Sequence, residues 1–168
     1  MNLLNSKKAQ GSNYLAVIIF LVLFGFFNIL AYTVWINFVT SLNTTGLTTP
    51  IIDDTIQGFT YGLQAYDYVI VILMVIFVIG TALTSYRLAT STAFFILTII
   101  MGAFWGFVSY FFNYIFIQMV SPSVFTVAVG VFPKTMLLCT NLHWVMLILI
   151  IVGSVTLYGK KEKGQYLT

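Results

Sequence analysis

Of 168 residues, 60% are hydrophobic, 17% are aromatic and only 7% are charged, with a mean hydropathy of +1.02. Soluble domains carry roughly 25% charged residues, so the chain cannot cover itself with a solvated surface, and its hydrophobicity excludes a disordered polymer. Seven basic and four acidic residues leave a formal charge of +3, too sparse for the clustered Lys and Arg of a nucleic-acid interface.

Residues 1–13 carry Lys7 and Lys8 and lead into the first of four apolar stretches: Tyr14–Val39, Tyr68–Tyr86, Ala93–Val120 and Leu137–Tyr158. None of the four contains a charge. A helix rises about 1.5 Å per residue and needs roughly 20 residues to cross a hydrocarbon core about 30 Å thick. Each stretch therefore predicts one crossing, and none is long enough for two. Barrel strands would alternate apolar and polar residues, whereas a continuous apolar run in lipid must satisfy its own backbone as a helix. The expected fold is an all-α integral membrane protein. A single transmembrane domain over residues 14–158 forms an antiparallel four-helix bundle, followed by a basic inner tail over residues 159–168.

The first stretch reads as an uncleaved span. Its apolar run is too long for a secretory signal, and Ile29, Leu30 and Ala31 supply no small-x-small cleavage site. In the following loop, Pro50–Gln64 sets Ile52, Ile56, Phe59 and Leu63 at helical spacing, with Asp53, Gln57, Thr60 and Gln64 opposite. Thr49 and Pro50 suit an N-cap and first helical position, and Asp53 and Asp54 sit near the positive end. This predicts a short amphipathic external helix, despite Gly58 and Gly62, which each cost about 1 kcal/mol. The same loop holds the sequon Asn43-Thr44-Thr45, a candidate glycosylation site.

Arg87–Thr92 is a short turn into the third stretch. There Gly102, Gly106, Ser109 and Asn113 recur at intervals of four, three and four. Small residues let helix backbones approach and a buried amide can bond across the contact, so the stripe reads as a packing seam within the bundle or between protomers. Residues 121–136 are apolar, β-branched and bounded by Pro122 and Pro133. Exposed to water they would form a sticky patch. The segment folds back on the bundle, dips into headgroups, or meets a partner.

In the fourth stretch Cys139 and His143 are four apart and share a face. Asp67, at the start of the second span, lies at similar depth, so Cys139, His143 and Asp67 are the metal-ligand candidates. Two ligands on one helix do not close a site. Interfacial anchoring by His143 and Trp144, with Cys139 as a small apolar residue, accounts for them more simply, and no metal or cofactor is expected. A single cysteine excludes an internal disulfide. No nucleophile elbow, phosphate loop or HExxH is present, so an enzyme is not expected.

Lys7, Lys8, Arg87, Lys160, Lys161 and Lys163 fall on one side of this topology and only Lys134 on the other. The positive-inside rule then places both termini in the cytoplasm, or in a virion interior. Coupled transporters need a charge near the midplane, and no span carries one. The leading expectation is a non-enzymatic, multi-pass structural or accessory subunit of a membrane complex or of a lipid-containing virion. Its partners would be the bilayer and other membrane subunits, or its own copies, met through the third span and residues 121–136. The second expectation is a pore-forming, channel or holin-like protein lined by the third-span stripe with Asn28 or Asn37. A membrane enzyme built on Cys139, His143 and Asp67 ranks third.

Overall fold

A computed structural model describes residues 3–47, 49–87 and 92–165, with side chains described for residues 14–47, 49–86, 96 and 99–156. The described residues are all-helical and contain no strand. Helix α1 spans Leu3–Thr44, α2 Pro50–Arg87 and α3 Thr92–Val120. A 3-10 turn at Ser123–Phe125 leads into α4 (Thr126–Val131), followed by α5 (Pro133–Thr140) and α6 (Leu142–Gln165). Among the described residues three segments are long and apolar enough to cross a membrane: Tyr14–Thr44, Pro50–Tyr86 and Ile99–Val120. A fourth is reached only if Ser123–Val131 and Pro133–Thr140, bent by 106° to each other, count as one broken span.

The helices outrun the apolar stretches that nucleate them. No proline interrupts α1, which ends where Gly46 takes a φ of 68°, a left-handed cap that glycine adopts without a Cβ clash. Helix α2 begins as its sequence requires, with Pro50 in the first turn, the Thr49 hydroxyl accepting from the Ile52 amide at 3.4 Å, and the Thr49 carbonyl accepting from Asp53 at 2.9 Å. The amphipathic segment 50–64 is helical but not separate, because nothing between Gly62 and Tyr68 breaks the backbone and it runs straight into the second apolar stretch. Of the turn expected at 87–92, residues 88–91 lie outside the described residues.

The stretch 137–158 is two helices rather than one. The break falls at Asn141 (φ −118°, ψ 29°), whose side-chain amide donates to the Leu137 carbonyl at 2.9 Å while its own carbonyl starts the next helix by accepting from Trp144 at 2.9 Å. Asparagine competes for backbone partners in this way, which disfavours it inside a helix. Residues expected to form a loop, 121–136, instead make the 3-10 turn, α4 and the start of α5, and they fold back on α1.

Antiparallel pairing follows from side chains that meet. Along α1 and α2, Phe20 meets Phe77, Phe24 meets Tyr66, and Trp35 meets Phe59 at 4.3 Å between ring centroids. Along α3 and α6, Gly102 lies on Ile150 and Tyr110 on His143. Ile18, Leu21 and Ile29 of α1, Ile70 of α2, Phe116 of α3, Phe132, and Leu142, Met146 and Leu149 of α6 are fully buried between the helices. In lipid, apolar burial alone drives little association, so close packing and buried polar contacts must hold these helices together.

Candidate functional site

The first turn of any helix leaves amide groups without intrahelical partners, and these attract a negative charge. Helix α5 starts directly after Phe132, which is completely buried, with Pro133 exposed and Thr135 buried. Pro133 has no amide hydrogen to satisfy, but Lys134 and Thr135 do. Asp67, in the middle of α2 and 2% exposed, supplies both partners. One carboxylate oxygen accepts from the Thr135 amide at 2.7 Å; the other accepts from the Lys134 amide at 3.1 Å and from the Lys134 ammonium at 3.4 Å. The ammonium also sits 3.9 Å above the centre of the Tyr68 ring. A carboxylate from one helix thus caps another, and its charge is balanced by a lysine stem that reaches the surface.

The same elbow is closed by rings. Phe132 meets Tyr32 edge-on at 5.5 Å, and Phe125 meets Phe26 at 6.0 Å. Gly25 of α1 completes the contact, since a Cβ there would stand 2.7 Å from the Cys139 sulfur and 3.1 Å from the Thr135 methyl. Cys139 is fully buried and points its thiol at the Leu21 carbonyl, 3.6 Å away. His143 lies one helix further on, packed between the rings of Tyr110 and Trp144. Among the described residues, no group of three His, Cys, Asp or Glu side chains is placed to hold a metal ion. Cys139, His143 and Asp67 each have separate neighbours, and the Asp67 carboxylate is already occupied.

The third-span stripe divides. Gly102 faces Ile150, and a Cβ would come within 2.7 Å of it, whereas a Cβ on Gly106 would meet nothing within 4 Å. Ser109 is buried and donates to the Gly106 carbonyl at 2.7 Å. Asn113 is buried, and its side-chain oxygen has no hydrogen-bond partner among the described residues. Of the first-span amides, Asn37 is exposed and Asn28 is half-buried. Asn43 sits exposed in the last turn of α1. Lys7 and Lys8 belong to the start of α1, Arg87 is the last residue of α2, and Lys160, Lys161 and Lys163 belong to the end of α6; their side chains lie outside the described residues.

The sequence offers Asp67 only as a weak metal-ligand candidate and Lys134 only as the exception to the charge sorting, whereas the structure joins the two at the start of α5. The usable signal was their coincidence. Lys134 is the only base assigned to its side, and Asp67 is the only acid bordering a span on that side. Comparison with protein-family models, with curated proteins and with solved structures finds no match for this chain.

Proposed function

We propose that the chain is a non-enzymatic, multi-pass subunit of a larger membrane assembly, either a membrane complex or the membrane of a lipid-containing virion. The observation that carries this reading is the reach of the α1–α2 hairpin. The 38 residues of α2 make a helix of about 57 Å. Even tilted by about 40°, the upper end of the usual range, such a helix overreaches a 30 Å core. Beyond Asp67 the hairpin is stapled by the Trp35 indole donating to Thr60 at 2.9 Å. It nevertheless displays Leu47 (62% exposed), Ile51 (79%) and Tyr61 (67%). Apolar side chains grouped outside a bilayer mark a protein interface more often than a solvated surface. The sorting of basic residues supports an orientation with both termini cytoplasmic or virion-interior, and the hairpin on the opposite face. Residues 121–136 fold against α1 through Phe125 and Phe132 but leave Val124 and Val127 exposed, and in this reading they offer a second contact surface.

Native mass spectrometry of the full chain, extracted from its own membrane in mild detergent, tests the reading. The expected result is a second, different membrane polypeptide at fixed stoichiometry, released by Ile51→Lys together with Tyr61→Lys. Recovery only as a monomer or homo-oligomer, unchanged by those substitutions, would overturn it.

A further inference from the structure

We infer that a groove between α1 and α2, at the end of the molecule where α1 begins and α2 ends, binds one anionic phospholipid. The groove has a volume of about 590 Å³, within the range of sites that hold a small ligand. Its walls are apolar, with Val17 and Phe20 on α1 facing Ile76 and Phe77 on α2. From Ile76 to Ser85 it runs about 14 Å along α2, close to half the hydrocarbon thickness and so the depth of one leaflet. Gly80 opens its middle, since a Cβ there would meet nothing within 4 Å.

One end of the groove is polar. Thr81, Thr84 and Ser85 line this end, and the buried Ser85 hydroxyl is turned to Gly153 of α6, with no hydrogen-bond partner among the described residues. The Tyr14 hydroxyl also packs over the bare backbone of Gly153 in α6. The helices also gather their basic residues at this end. Arg87 follows Ser85 by two positions, Lys7 and Lys8 precede Tyr14 in α1, and Lys160, Lys161 and Lys163 follow Gly153 in α6. Each basic residue near a membrane surface favours anionic headgroups, so an acyl chain in the groove and a negative headgroup at its mouth satisfy both halves.

The test is native mass spectrometry of the full chain in mild detergent, titrated with phosphatidylglycerol and with phosphatidylcholine of the same acyl chains. One phosphatidylglycerol should be retained under activation that strips phosphatidylcholine. Gly80→Leu should weaken that binding by about ten-fold, the worth of roughly two displaced methylenes, with the melting temperature in detergent unchanged. Ala16→Phe, from the opposite wall, should do the same and serves if Gly80→Leu fails to fold. Phosphatidylglycerol binding unchanged in both folded variants, equal retention of phosphatidylcholine, or equal retention of free fatty acid in place of phospholipid would overturn the assignment.

Discussion

Asp67 and Lys134 stand 67 residues apart in the chain, yet a single carboxylate oxygen of Asp67 meets both the amide nitrogen and the ammonium of Lys134, at 3.1 and 3.4 Å. The two contacts differ in value. The amide has no other partner among the described residues, whereas the Lys134 side chain is 38% exposed and its charge is shared with water. Asp67→Ala strands the Lys134 and Thr135 amides and should cost about 2–4 kcal/mol. Lys134→Ala keeps both backbone bonds but leaves the buried carboxylate without its counter-charge, and should cost about 1–2 kcal/mol, less than Asp67→Ala because the two amides and the helix start still hold the charge. Asp67→Asn, which retains one acceptor, should fall between them. Unfolding by titration into a denaturing detergent gives the order directly; equal losses for the two alanine variants would show that the ion pair, not the helix cap, holds the elbow.

Two glycines four residues apart on α3 should respond in opposite senses. Gly102→Ala drives a methyl to 2.7 Å from Ile150, and overpacking of that kind costs about 1–3 kcal/mol. Gly106→Ala enters open space and should stabilise the helix by about 1 kcal/mol through propensity alone. A double-mutant cycle with Ile150→Ala should return a coupling of about 1 kcal/mol or more for Gly102 and none for Gly106. Should Gly106→Ala instead break up a homo-oligomer seen by light scattering, the open half of the seam serves contacts between copies.

Helicity and the apolar segments were legible because lipid leaves few options: uncharged runs of this length must be helical. The Thr49–Pro50 helix start was legible for a local reason, since capping depends on neighbours in sequence. Helix ends were not legible from hydropathy, which marks where lipid begins and ends. A helix stops only where its backbone is diverted, as at Gly46 and Asn141. Among the described residues the weak metal-ligand candidates are not gathered into a group, because a shared depth in the membrane fixes one coordinate only. Cys139 turns toward Gly25 and Leu21, while Asp67 turns toward the start of α5. The elbow depends on a contact spanning 67 positions, which no local pattern encodes.

Cys139 offers a probe of this packing, because it is the lone cysteine and is fully buried. A water-soluble maleimide should label the folded chain roughly a thousand-fold more slowly than the denatured chain, as expected if exposure requires an opening of about 4 kcal/mol. Gly25→Ala pushes a methyl to 2.7 Å from the sulfur and should speed labelling by separating α1 from α5. Rapid stoichiometric labelling of the untreated protein in detergent would contradict the burial of this helix face.

Asn113 separates the subunit reading from the pore reading. Its amide lies at the buried face of α3, 7% exposed, with the side-chain oxygen unpaired among the described residues. If the residue only packs, Asn113→Leu keeps a similar volume and removes a polar group that folding had to desolvate. Stability should then stay level or rise by about 1 kcal/mol. If the stripe lines an aqueous path, the amide is the group that wets it, and a leucine there favours dewetting and closure. The expected outcome is an Asn113→Leu protein that unfolds no earlier than the parent and gives the same ion flux in liposomes. A conductance present in the parent and abolished by this single substitution would reverse the assignment, making α3 the lining of a channel rather than a helix packed inside a subunit.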